Sequence, residues 1–369
     1  MLVPDYEHGI LSMINTIREY VGISTYHQGD ETIKAWLQKH QFQQIVVMLI
    51  DGMGAYQVQD YCDKKGFMNS HFYKAIDTVY PPTTAAATTS VLTGKAPCET
   101  GWLGWQQYIS SVNAHPIMFF NEDYYTEEKM EDERLSYHLF PVITMIEECI
   151  QSGMKAKELF PNWRTPGMDS FALLCEEVLK ESKSQESKLI YAYWDEYDSF
   201  MHDHGATHQD SIAMLRSYDR ILEQTMSQLD EHTGLIIIAD HGHIDVTCKE
   251  LIKYPDIMEC FEVLPSLESR TVNFFIKEDK KAIFPKLFHE YFQSDFDLYT
   301  KQEVIDQKLF GIGEEHELFR EMIGDFIACG TGNVCLNYTE DYNLKGHHAG
   351  MRQQEIKIPL IMVPALEEC

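Results

Sequence analysis

QIVVMLIDGMG, residues 44–54, passes from one polar residue through an unbroken apolar run to Asp51 and Gly52. Continuous apolar character marks a strand covered on both faces, as in the middle of a parallel sheet, whereas alternation would mark a half-exposed strand. The pattern recurs in KLIYAYWDEYD, 188–198, which reaches Asp195 and Asp198, and in GLIIIADHGH, 234–243, which reaches Asp240 and His241. Between these runs, 170–182 and 205–232 carry apolar residues at helical spacing, among them Leu215, Leu222, Met226 and Leu229. Residues 9–20 and 30–40 read as amphipathic helices, the second capped by Asp30, and IKIPLIMVP, 356–364, reads as a last strand. Strand and helix in alternation predict an α/β fold, a doubly wound, mostly parallel sheet with helices on both faces.

Ligands of open α/β sheets bind outside the carboxyl ends of the strands, so the three acidic strand ends are expected to converge on one site. YPPTTAAATTSVLTG, 80–94, belongs at the same place. Its prolines halt the strand-like AIDTVY, small and hydroxylated residues follow, and SVLTG reads as a short helix closed by Gly94. A strand, a tight loop and a helix N-terminus present backbone N–H groups to an anion, with the hydroxyls of Thr83, Thr84, Thr88 and Thr89 beside them. The competing reading is an N-cap and a small-residue helix packed closely on the sheet.

The segment 246–334 changes character. It holds a β-like RTVNFFIK, an amphipathic AIFPKLFHEYF and a second β-like patch at DLYT, which predicts a small α+β insert between 1–245 and 335–369. The stretch ESKSQESK, 181–188, reads as a polar loop. Over the 369 residues, 58 Asp and Glu outnumber 30 Lys and Arg, a net charge of −28. Such a surface repels nucleic-acid polymers and anionic membranes, and a small anionic substrate would need local positive charge, which bound metal ions supply. Nine cysteines without a CxxC pair read as reduced thiols. The N-terminus lacks a signal-peptide pattern and no apolar run could span a bilayer, so the expected location is cytoplasmic. Oligomeric state is left open.

Asp198 and His202, four apart, share a face if the chain turns helical after its strand. Asp240 and His241 can both turn toward one ion, and Asp51 with His347 or His348 of KGHHAG completes the set. Taken singly, each is as well read as a turn or cap residue. Together, carboxylates, imidazoles and a hydroxyl suit two divalent ions, zinc first and manganese second, roughly 4 Å apart for phosphoryl transfer. His204 and His243 are the unassigned histidines nearest these motifs.

In this order the motifs resemble the nucleotide pyrophosphatase/phosphodiesterase family of the alkaline phosphatase superfamily, over about 43–245 and 340–364. The resemblance implies an alkaline phosphatase-like core with two zinc ions. LIDG makes Asp51 a metal ligand, and counting back from Thr93 and Gly94 puts the nucleophile at Thr84. DSFMHDHG contributes Asp198 and His202, DHG contributes Asp240 and His241, and GHH contributes His348. Asp51, Thr84, Asp240 and His241 would hold one ion; Asp198, His202 and His348 would hold the other. Ala87 stands where better-known members place an Asn that donates to a phosphoryl oxygen, so Thr88 or a backbone N–H would have to substitute.

The implied activity is hydrolysis of phosphodiester or pyrophosphate bonds in a small, nucleotide-like substrate through a phospho-threonine intermediate; because residues 77–94 hold no Arg or Lys and no Asn at 87, diesters are expected over monoesters. A phosphomonoesterase, phosphonoacetate hydrolase or sulfatase on the same frame is the alternative. A metal-binding protein without turnover is the non-enzyme one. Phe274, Phe275 and Tyr299 of the insert are candidate base-stacking residues, although aromatics in β-like runs more often serve a core.

Overall fold

The computed structural model describes residues 3–132, 134–184, 186, 188–338 and 344–364. Its main sheet contains β1 (Gln44–Ile50), β2 (Phe72–Asp77), β3 (Ala156–Leu159), β4 (Leu189–Trp194), β5 (Thr233–Ile238) and the last strand, Lys357–Val363. The order is β2, last strand, β5, β1, β4, β3. β1 lies parallel to β4 and β5, and β3 lies parallel to β4. Only the last strand runs against its neighbours, β5 and β2. The fold is thus alkaline phosphatase-like, a mostly parallel sheet flanked by helices.

Every residue of β1, β4 and β5 is buried, as their unbroken apolar runs require. Register pairs Ile50 with Trp194 and Leu49 with Ile238, so the three strands end level and release Asp51, Asp195 and Asp240 at one edge. Helices Ile10–Val21 and Glu31–His40 form where amphipathic spacing predicts them, and the Asp30 carboxylate caps the second by accepting from the Thr32 and Ile33 amides. Helix Phe171–Ser184 runs into the expected polar loop, taking its first four residues into helix; residues 185 and 187 of that stretch lie outside the described ones. Among the described residues no helix is long and apolar enough to cross a membrane.

Between β5 and the last strand the chain builds a second sheet. Its antiparallel order is Phe296–Thr300, Phe326–Gly330, Thr271–Phe274, Ser266–Leu267. Helix Phe284–Phe292 covers it through a separate core of Phe274, Phe284, Phe288, Phe292, Phe296 and Phe326. Phe274 therefore serves this core and is not free to stack on a ligand. Phe275 packs edge-on against Tyr108, and Tyr299 donates to Asp297.

One sequence expectation is corrected here. Thr247–Glu250 and Val334–Asn337 pair in parallel with Cys248 opposite Cys335, and these two form a disulfide at a Cα–Cα distance of 4.7 Å. Residues 87 apart in sequence are brought together by the neck of the second sheet, which no local spacing could reveal. Cys62, Cys98, Cys149, Cys175, Cys260 and Cys329 are free and buried, and Cys369 lies outside the described residues. Cysteine usage therefore no longer argues for a reducing compartment.

Candidate metal and phosphoryl-transfer centre

The candidate nucleophile loop is more helical than its sequence suggests. The helix begins at Thr84 itself, with Thr83 as N-cap, and runs to Thr93, where Gly94 closes it at φ +74°. The Thr84 hydroxyl therefore sits in the first turn, beside backbone N–H groups with no partner inside the helix. Its Oγ1 lies 3.3 Å from His241 Nε2 and 3.5 Å from Asp51 Oδ2. The Thr83 hydroxyl is less available: the residue is buried and its hydroxyl donates to Glu268. The Thr88 hydroxyl donates to the Thr84 carbonyl at 2.6 Å, one turn along the same helix. Ala87 is fully buried.

Two groups of ligand-type side chains surround this hydroxyl. Asp51, Asp240 and His241 form the first, and Asp198, His202, His243 and His348 the second. Each strand end delivers its share, and helix Glu196–His204 puts Asp198 and His202 on one face as their spacing requires. The imidazoles of His241 and His348 stack with centroids 3.7 Å apart, so the groups are immediate neighbours. Gly52, at φ +72°, lets them approach, since a Cβ there would stand 3.1 Å from the Asp198 carboxylate.

Hydrogen bonds fix which ring nitrogen faces inward. His241 Nδ1 donates to the Gly242 carbonyl at 3.1 Å, His202 Nδ1 to Gly346 at 3.0 Å and His348 Nδ1 to Pro82 at 3.0 Å. Each Nε2 is then left with a lone pair. That of His241 points at Asp51 Oδ1 and Asp240 Oδ2, 3.3 and 3.5 Å away, and neither oxygen has a hydrogen-bond partner. Buried lone pairs converging without a donor repel one another, and a divalent cation is the partner that satisfies them. The residues present thus fit a divalent metal ion.

His243 differs from the other imidazoles. Its Nε2 lies 2.9 Å from Asp198 Oδ1 while its Nδ1 has no partner, so it donates to Asp198 and orients that carboxylate instead of offering a lone pair. Burial pushes His243 down to about 4 and holds His347 and His348 well below the usual histidine range, keeping them neutral. Burial also drives Asp51 well up, reinforced by Asp240 and Asp198, and raises Asp240. Burial acts the same way on Asp198, but His202 and His243 outweigh it and hold that carboxyl well below its usual value.

Several candidates fall elsewhere. Asp195 accepts from the indole of Trp163 at 2.7 Å, and His204 stacks on Phe200 at the surface. His347 accepts from the His348 amide. Two contributors went unnoticed in the sequence. Tyr193 in β4 donates to Asp51 Oδ2, and Glu268, just after the strand Ser266–Leu267, accepts from Thr83 and from the Trp105 amide at 2.8 Å. Burial raises Glu268 to about 7. A tyrosine within an apolar strand just before an acidic end was the available signal for the first; the second had none.

A mostly parallel sheet delivering two groups of carboxylates and imidazoles to a helix-start threonine defines an alkaline phosphatase-like protein. The profile of type I phosphodiesterase / nucleotide pyrophosphatase matches residues 45–268, and the chain belongs to that family. Among solved structures it is similar to human ectonucleotide pyrophosphatase / phosphodiesterase 5, at TM-score 0.67 and 15% identity over 87% of this chain and 88% of that one. The murine counterpart follows at TM-score 0.64 and 14% identity, covering 86% and 87%. Phosphonoacetate hydrolase from Sinorhizobium meliloti, in complex with phosphonoformate, gives TM-score 0.66 and 13% identity over 89% and 92%. At such identities the likeness concerns the fold. No curated protein sequence matches significantly.

Proposed function

We propose that the protein is a two-metal phosphodiesterase or nucleotide pyrophosphatase acting on a small phosphoester through a phospho-threonine. The observation that carries this reading is the position of the Thr84 hydroxyl, in the first turn of its helix and 3.3 Å from His241 Nε2. Asp51, Thr84, Asp240 and His241 would hold one ion, and Asp198, His202 and His348 the other, zinc by donor chemistry and manganese as the alternative. When bound, the pair supplies positive charge that acidifies a hydroxyl and offsets charge on phosphoryl oxygens.

The chain's own residues do the rest. Thr84 Oγ1 attacks phosphorus, the bond from phosphorus to the leaving oxygen breaks, and the threonine carries the phosphoryl group until water displaces it. The unpaired N–H groups of the helix's first turn take the place of the missing Asn as donors to a phosphoryl oxygen, because the Thr88 proton is engaged by Thr84. Tyr193 fixes one oxygen of Asp51, and His243 fixes Asp198. Residues 246–334 act as a cap that selects the leaving group, and Glu268 is where that segment reaches the nucleophile helix.

A murine relative captured with AMP as an inactive threonine-to-alanine variant supports the nucleotide reading, and a phosphonoacetate hydrolase of the same fold keeps C–P cleavage as the second reading. Elemental analysis of chelator-free protein, run beside nitrophenyl monoester, diester, phosphonate and sulfate substrates, tests both. Two equivalents of metal and diester turnover are expected. Full activity with one ion or none overturns the proposal.

A further inference from the structure

A small pocket adjoins the nucleophile helix where the second sheet meets the segment that follows that helix. Gln106, Tyr124, Tyr125, Glu268, Ser269 and Tyr338 are among its walls, and its volume is about 30 Å³. Glu268 belongs both to this pocket and to the N-cap of the Thr84 helix, through its bond from Thr83. The backbone is bent to put it there. Leu267 holds φ +78°, unusual for a bulky side chain, and its amide donates to the Gln106 carbonyl at 2.9 Å.

The lining sets acceptors and rings beside the hydroxyl of Ser269, the amide of Asn337 and apolar side chains. Gln106 is 6% exposed, and its Oε1 has no hydrogen-bond partner. Its Nε2 donates to the Pro265 carbonyl at 3.3 Å, which fixes the amide's orientation and leaves the oxygen as the free end. Glu268 supplies a carboxylate, and three tyrosine rings add π faces, Tyr125 standing edge-on to Tyr124 and to Tyr338 at centroid distances of 5.0 and 5.2 Å. None of the described lining residues is Lys, Arg or His. A buried acceptor without a donor, a carboxylate and aromatic faces together call for a compact cation with several N–H donors.

Resting on the phosphodiesterase reading, we propose that this pocket binds a primary ammonium group on the substrate, so that the preferred phosphodiester carries an aminoalkyl arm. A trimethylammonium group is too large for the volume and has no N–H to give Gln106. Two different recognition chemistries would then meet across Glu268: lone pairs converging on a metal on one side, acceptors converging on an ammonium on the other.

Binding tests this without turnover. The zinc-loaded Thr84→Ala protein is titrated calorimetrically with methyl phosphate diesters bearing ammonium arms of two, three and four carbons, with their neutral alkyl counterparts, and with the trimethylammonium versions. At least one ammonium arm is expected to bind tenfold or more tighter than its neutral counterpart, with the trimethylammonium arm no better than neutral. Glu268→Gln and Gln106→Leu in the same background should each bring that ratio close to one. A wild-type-pocket ratio near one for all arms overturns the proposal, as does a ratio that survives both substitutions. Failure of the native enzyme to turn over any diester strikes the phosphodiesterase reading instead, because the binding ratio is read separately.

Discussion

The two halves of the proposed metal centre solve the same electrostatic problem in opposite ways. Around Asp198 the carboxylate is outnumbered by imidazoles: His202 Nε2 lies 3.3 Å from it and His243 Nε2 2.9 Å. This half can neutralise itself with a proton, since Asp198 holds the His202 pKa up against the downward pull of burial. Around Asp51 two buried carboxylates share one imidazole, and an oxygen of each lacks a hydrogen-bond partner. There repulsion is relieved only by protonating a carboxyl or by binding a cation. The difference teaches that the Asp51 half is built for its ligand at the expense of the metal-free fold, while the Asp198 half also serves the fold.

Removing the proposed nucleophile should have the largest effect. Thr84→Ala is expected to lower kcat by roughly a thousandfold or more while leaving the thermal midpoint of the metal-free protein nearly unchanged. Thr83→Ala should cost far less, because its hydroxyl faces Glu268 and not the ligand groups. If Thr83→Ala were the inactive variant, the Asp51 half would not contain the reacting hydroxyl.

Paired substitutions break the comparison most directly. In chelator-treated protein, Asp198→Asn leaves His202 and His243 without their carboxylate and should destabilise the fold by about 3 kcal/mol, the loss typical of a broken buried pair. Asp51→Asn in the same state removes a repelling charge, so its denaturation midpoint should hold or rise. With zinc present the second variant should instead fall below wild type, since it loses a ligand. Equal losses in both metal-free variants would mean the two halves do not differ as described.

The halves also differ in pH response. His243, His347 and His348 have pKa values depressed by burial, so the stability linked to them is present above about 6.5 and is lost as pH falls toward their folded values. His202, raised by Asp198, opposes this, because its contribution is present at low pH and is lost as pH rises through its folded pKa. Among the imidazoles, three groups against one pull the metal-free midpoint down between about pH 6.5 and 5, whereas the raised carboxyls of Asp51, Asp240 and Glu268 gain stability as pH falls through their folded values and pull it up. In chelator, the wild-type midpoint is therefore expected to lose ground to that of His243→Gln as pH falls over this range, and an unchanged difference would count against the neutral imidazole assigned to the Asp198 half.

What the sequence makes legible follows the range of each interaction. The apolar runs of β1, β4 and β5 and the spacing of Asp198 and His202 are local, and the structure keeps all of them. The three strand ends do converge, because level register follows from parallel pairing. Tyr193 donating to Asp51, Glu268 accepting from Thr83, and Cys248 bonded to Cys335 join residues 142, 185 and 87 apart, and no pattern along the chain encodes such meetings. The early start of the Thr84 helix was obscured by its own composition: a threonine-rich opening reads as loop by propensity, yet the alanines begin a helix against the sheet although Thr83 at its N-cap gives its hydroxyl to Glu268.

The smallest expected effect concerns which phosphoester the Thr84 helix prefers. A monoester dianion needs extra positive donors around its third oxygen, and residues 77–94 contain no Arg, Lys or Asn. The nearest candidate cations are engaged elsewhere: Lys95 lies 4.5 Å over the Tyr26 ring, Arg164 pairs with Glu158 at 2.6 Å, and Arg352 bonds Asn333. The first-turn N–H groups serve one or two phosphoryl oxygens, and Ala85, Ala86 and Ala87 add no donor side chain. Glu268, on the far side of Thr83, adds negative charge that disfavours a dianion further. A diester carries one less charge and asks for fewer donors, so kcat/KM for bis-nitrophenyl phosphate should exceed that for nitrophenyl phosphate by about tenfold, roughly 1.4 kcal/mol of transition-state discrimination. A monoester preference of the same size would show that a cation from another segment completes the site, and the donor-poor character assigned to this helix start would be wrong.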